Sequence, residues 1–170
     1  MADKMSRWGV GPSFAALSFV CLCIAIIAER SGPALADISI VPYGALLSIG
    51  LSLIALGLVF YIAAVISIMR AYNADRLCTT GPTGLCRHPI YAAWAVFIIP
   101  GIALLLNSWI ALATIPVICL ILRVLVRKEE RYLEHRFGDE YRVYRSRVPA
   151  ILPLGWLKTR LTRSPTPPSD

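Results

Sequence analysis

Charge is what this chain has least of. Asp, Glu, Lys and Arg make up 16% of its 170 residues, against 57% hydrophobic residues, a balance too apolar for an ordinary water-soluble domain. No charge interrupts Trp8 to Ala28, Ile38 to Met69 or Pro89 to Leu122. Those runs contain no ionisable side chain other than tyrosine and cysteine, so they offer no proton relay, ion site or voltage sensor, and a pump or channel is disfavoured. The five cysteines form no Cys-x-x-Cys pair or Cys/His set at metal-ligand spacing, so no metal site is expected. Cys21 and Cys23 read as apolar packing, and Cys78 and Cys86 as thiols on a reducing side of a membrane. Internal repeats are absent too. The sole low-complexity stretch, 164–170, reads as a disordered tail after a single domain over 1–163.

The apolar runs themselves are the skeleton, since about 20 such residues cross about 30 Å of hydrocarbon. The first predicts a span over 10–28, after a short polar head with Lys4 and Arg7. A cleaved signal peptide ending near Ala34-Leu35-Ala36 is the rival reading, but the run is long for a signal core and Glu29 and Arg30 intervene. The second predicts one helix over 43–69, in which Gly44, Gly50 and Gly57 let a neighbour approach closely. The third holds 34 uncharged residues, a rod of roughly 51 Å if straight, so it must fold back. Asn107-Ser108 is its only polar pair, which places the turn there between helices 91–106 and 109–126, with a kink at Pro100-Gly101.

The expected fold is therefore all-α: an integral membrane bundle of four transmembrane helices, the last two a hairpin, with a cytoplasmic C-terminal helix and tail. Four crossings put sixteen of the basic residues on one side and only Arg30 on the other, which makes the populated side cytoplasmic. Both termini then lie in the cytoplasm, with a bacterial inner membrane as the expected location. The +7 net charge is a topological signal, better matched to anionic lipid headgroups than to nucleic acid.

Reactive side chains collect in two patches, Arg70 to Tyr91 and Arg123 to Tyr144. A hairpin joins its own ends, so Arg87-His88 before it and Glu129-Glu130 beyond it must lie close together. Pro89 suits a first helical turn, and Arg87 beside it can grip a carboxylate with two parallel hydrogen bonds. Read from the residues alone, Arg87 can equally be a topology anchor and His88 a helix-start cap. Glu129 and Glu130 point about 100° apart on a helix, so one is expected to face the pocket and the other solvent. Glu130 also shares a face with Arg123, Arg127, Glu134 and Phe137, which a salt-bridged interfacial helix would explain equally well. His135 reads as a surface residue, Gly138 as a helix end, and Tyr132 and Trp156 as interfacial aromatics.

The ordered set Thr80-Gly81-Pro82, Arg87-His88-Pro89-Ile90-Tyr91, Glu129-Glu130, Phe137-Gly138-x-x-Tyr141-x-x-Tyr144 and Val148-Pro149-x-x-Leu152-Pro153, covering 77–154, resembles the isoprenylcysteine carboxyl methyltransferase family and its phospholipid-methyltransferase-like relatives. Thr83, Ala93 and Ala150 depart from residues frequent in that family. The resemblance implies a membrane enzyme using S-adenosyl-L-methionine without the Rossmann glycine fingerprint, and a lipidic or prenylated acceptor arriving between helices. By position, His88, Tyr91, Glu129, Glu130, Tyr141 and Tyr144 would line the cofactor site, with Arg87 and Glu130 closest to catalysis. Carboxyl O-methylation is the reaction it suggests. S- or N-methylation, an NADPH-dependent reductase of the sterol-reductase type and a non-enzymatic membrane adaptor are the other readings.

Overall fold

The computed structural model describes residues 11–31, 37–38 and 40–151. The polar head, the Ala34-Leu35-Ala36 segment, Leu152-Pro153, Trp156 and the 164–170 tail lie outside these residues. Six α-helices follow in order: α1 (Gly11–Ser31), α2 (Tyr43–Asn73), α3 (Pro82–Leu85), α4 (Pro89–Ala92), α5 (Ile99–Leu105) and α6 (Trp109–Arg147). A π-helical segment, Ala93–Ile98, joins α4 to α5 into one apolar rod. The described residues are all-helical, apart from an isolated bridge between Asp37 and Ser108.

Two helices, α2 and α6, are long and apolar enough to cross a membrane. Their most apolar stretches are only 17% and 22% buried within the protein, whereas the core helix of a soluble domain would be mostly covered. Leu51, Leu56, Val59 and Ile62 on α2, and Val117, Leu120 and Val124 on α6, are exposed. In water that surface would aggregate; in lipid it is ordinary.

Packing places the polar ends. α2 lies along the π segment and α5, α5 pairs with α6 in the hairpin, and α1 packs on α6. The α2/α5 crossing is close because two glycines face each other: a Cβ on Gly50 would sit 2.9 Å from the Gly101 carbonyl oxygen, and one on Gly101 2.8 Å from that of Gly50. Gly57 is likewise pressed against Phe97 and Ile98, but Gly44 faces open space and assists no approach. The hairpin turns where the polar pair predicts. Asn107 takes a positive φ of 55°, and the Ser108 hydroxyl accepts from the Ala111 N–H at 3.1 Å, a conventional N-cap. Ile38 donates its N–H to the Asn107 carbonyl at 3.1 Å, so Asp37 and Ile38 lie against this turn.

Around the expected kink at Pro100 the helix is irregular. Proline lacks the N–H that an α-turn requires, and the irregularity spreads upstream as the π segment over 93–98. Gly138, at φ 53° and ψ −125°, interrupts α6 as expected, because a left-handed φ is cheap only for glycine. A second helical stretch follows at once and carries Tyr141, Tyr144 and Arg145 back beside the hairpin mouth.

Candidate functional site

The two ends of the hairpin do converge. Arg87, outside α4, directs its Nη2 to Oε1 of Glu130 on α6 at 2.7 Å, with both side chains only 10% exposed. Its Nη1 donates to the Arg145 carbonyl at 2.8 Å. The backbone is stitched as well: the Arg87 N–H donates to the Pro149 carbonyl at 2.8 Å, and the His88 N–H to that of Ala150 at 3.0 Å. His88 occupies the N-cap position of α4 without a capping side-chain bond. Its buried ring instead lies between the two carboxylates, with Nδ1 4.0 Å from Glu129 Oε2 and Nε2 3.5 Å from Glu130 Oε1. Tyr91 donates its hydroxyl to Glu129 Oε2 at 3.0 Å, and its ring stacks on His88 and meets Phe14 edge-on.

Only one glutamate lines the cavity, as expected, but the other does not face solvent: Glu130 is buried against Arg87 and His88. Glu129 lines a cavity of about 390 Å³, while Glu130 is not among its lining residues and is committed to Arg87. Burial pushes the Glu130 carboxyl up, yet His88, Arg87 and Arg145 together outweigh it and hold the group below its ordinary value. A buried carboxylate so surrounded is an anchor.

The cavity lies between α1, α2, the α4–π rod and α6. Tyr61, Val65 and Ile68 of α2, Phe14 of α1 and Trp94 give it apolar and aromatic walls, and Asp75, Arg76, Arg87, Glu129 and Arg136 supply charge. From Tyr61 to Tyr72 it runs roughly 16 Å along α2 at about 1.5 Å per residue. Tyr91 and Tyr144 belong to the lining. Tyr144 donates to the Thr83 carbonyl at 2.6 Å, and burial raises its pKa. Tyr141, expected beside it in a cofactor site, is fully buried and absent from the lining. The turn after Gly138 drives it into the protein, where burial, then the Glu130 charge, push its phenol up to about 12.

Residue patterns did not disclose three participants. Arg145 reaches Glu130 Oε2 at 3.7 Å and Glu134 Oε2 at 3.3 Å. Asp75 forms an ion pair with Arg136, joining the loop after α2 to α6 beside the cavity, and Arg136 also donates to the Tyr132 hydroxyl at 3.2 Å. The only available signal was the acidic–basic complementarity of the two patches. His135 is exposed, as expected. No cluster of three or more potential metal ligands occurs among the described residues.

Fold and site together define a class: an all-helical integral membrane protein with a charged chamber at one end of its apolar helices. Residues 45–140 match the family model described as phospholipid methyltransferase, and the chain belongs to that family. It is 33% identical over 81 residues to the protein-S-isoprenylcysteine O-methyltransferase of Mus musculus, covering 48% of this chain and 29% of that protein. With its Rattus norvegicus counterpart it shares 35% over 81 residues, covering 48% and 28%. The protein-S-isoprenylcysteine O-methyltransferase B of Arabidopsis thaliana is 28% identical over 113 residues, covering 61% and 57%. The chain thus spans under a third of the rodent proteins and just over half of the plant one. No solved structure matches it significantly.

Proposed function

We propose that this protein is an S-adenosyl-L-methionine-dependent methyltransferase acting on the carboxylate of an isoprenylcysteine-like or other lipidic acceptor. Four membrane crossings, by α1, α2, the α4–π–α5 rod and α6, would place the chamber at the cytoplasmic face, as the basic residues favour. The observation that carries the reading is a carboxylate, Glu129, and a guanidinium, Arg87, on one cavity that continues between apolar helix faces.

The residues present fit the cofactor. Glu129 offers an anionic partner for its ammonium group, the aromatic walls offer stacking for its flat base, and the volume lies in the usual ligand range. When bound, it supplies a methyl carbon made electrophilic by a sulfonium. The chain's own residues then have a positioning task. Arg87 lines the cavity and would orient an acceptor carboxylate by its positive charge. Such a carboxylate is ionised at neutral pH, so no side chain need remove a proton. Glu130 holds Arg87 in place, and the apolar walls exclude water, so orientation accounts for most of the catalysis. A thiol or amine acceptor would need a base, and Glu129 or His88 would serve.

Titration calorimetry of the purified protein with S-adenosylhomocysteine and with NADPH tests the class. Binding of the first alone supports the proposal, binding of NADPH alone replaces it with a reductase, and binding of neither leaves a non-enzymatic adaptor. Transfer of labelled methyl to farnesylcysteine rather than to phosphatidylethanolamine tests the acceptor.

A further inference from the structure

We propose that α6 carries a docking strip for anionic phospholipid headgroups, made by Arg127, Lys128 and Arg131. The inference rests on membrane embedding and is independent of the methyl-transfer reading.

Among the described basic residues at the charged end of the bundle some are paired with carboxylates, while others, Arg70, Arg123 and Arg147 among them, are exposed with no carboxylate partner. Arg87, Arg136, Arg142 and Arg145 each face a carboxylate. Arg127, Lys128 and Arg131 are exposed, and among the described residues none of them is paired with a carboxylate or lines the cavity. These are three uncommitted cations within five residues.

Their placement selects the partner. At about 100° per residue, Val117, Leu120, Val124, Arg127, Lys128 and Arg131 fall within an arc of about 100° on α6. Val117, Leu120 and Val124 are among the most exposed apolar side chains of the helix. The cations therefore continue the lipid-facing stripe on the same side of the same rod, and Lys128 stands about 6 Å beyond Val124. Such a side chain lays its aliphatic stem on the hydrocarbon and raises its charge to the headgroups. None of the three lines the cavity, and a soluble phosphate or a nucleic acid would have no use for the apolar stripe that continues from them. Glu129 and Glu130 fall outside the arc, so headgroups held by this strip would fix the depth and rotation of the helix that carries the site.

Each basic residue near an anionic surface contributes about fivefold in affinity, and the effect weakens as salt rises. Native mass spectrometry of the full chain in detergent, titrated with phosphatidylglycerol or phosphatidylcholine, reads it directly. The wild type should bind phosphatidylglycerol at least about fivefold more tightly, and the variant carrying Arg127→Gln, Lys128→Gln and Arg131→Gln should show a ratio near one. Should the triple variant not fold, Lys128→Gln alone must lose part of the preference. Equal binding of the two lipids by the wild type, a preference unchanged in these variants, or occupancy by inorganic phosphate without lipid preference would each overturn the proposal. Calorimetry with S-adenosylhomocysteine on the same samples keeps failure here distinct from failure of the proposed activity.

Discussion

Two adjacent glutamates should fail in different ways when each is made neutral. Glu130→Gln removes the charge opposite Arg87, where both side chains are 10% exposed. Breaking a buried pair from one side costs about 3–5 kcal/mol, and the lower end applies because Arg87 keeps its bond to the Arg145 carbonyl. For a chain of this size about 3 kcal/mol lowers the unfolding midpoint by roughly 6–12 °C. Glu129→Gln leaves an amide oxygen that still accepts from Tyr91, so its cost to the fold stays under about 1 kcal/mol. What it removes is an anionic partner for a bound cation, a loss of about 1.5–3 kcal/mol, or roughly ten- to hundredfold in S-adenosylhomocysteine affinity. Thermal unfolding in detergent and titration calorimetry on the same preparations separate the two effects. Acid adds a further check. The folded Glu130 carboxyl lies below its ordinary 4.5, so its stabilisation is complete above that pH and is lost as pH falls through the folded value. Glu130→Gln should remove that part of the acid sensitivity. A variant pair with equal profiles, or with the two phenotypes exchanged, refutes the division of labour.

Other perturbations follow from the same geometry. Arg87→Ala should lower turnover at least tenfold more than it lowers S-adenosylhomocysteine affinity, which steady-state rates set against calorimetry will reveal. Gly101→Ala drives a methyl group into the Gly50 carbonyl and Ile54 and should destabilise by about 1–3 kcal/mol; Gly44→Ala, in open space, should not, as thermal unfolding will report. Arg136→Ala frees the loop held through Asp75 and should speed both association and dissociation of S-adenosylhomocysteine in stopped flow; unchanged rates would show that the loop does not limit access. Tyr141 ionises near pH 12 in the fold against an ordinary 10, so stability contributed by the neutral phenol declines from about pH 10 upward. Tyr141→Phe should flatten that alkaline limb of the unfolding curve.

Much of this arrangement is legible in residue order. An uncharged run too long for one crossing dictates a hairpin, its only polar pair marks the turn, and a hairpin brings Arg87-His88 to Glu129-Glu130. Periodicity could not reveal how the glutamates divide. Two positions about 100° apart on a helix place one at the pocket and one away from it, but which is which, and that Glu130 is buried against Arg87 and His88 rather than exposed, depends on the loop path before α4. Tyr141 was misplaced because an aromatic near a pocket motif reads as a wall, whereas the backbone reversal at Gly138 turns that position into the core. Arg145 and the Asp75–Arg136 pair depend on the same reversal and on a loop path, neither of which has a period. Pro100 signals an irregularity in the rod, but that it takes the form of a π segment over 93–98 is not written in a proline alone, since the missing amide can be accommodated by widening the preceding turn.

That widened turn has a genetic corollary. A π segment holds one residue more than an α-helix of equal rise would, and here the surplus falls between Tyr91, which looks into the chamber, and Gly101, which must meet Gly50. Removing a single codon from 93–98 can close the widened turn to a regular helix and leave Tyr91 and Gly101 facing their present neighbours. The same deletion in a regular stretch of the rod would turn one half by about 100° relative to the other, so this segment should tolerate a shortening that its flanks would not.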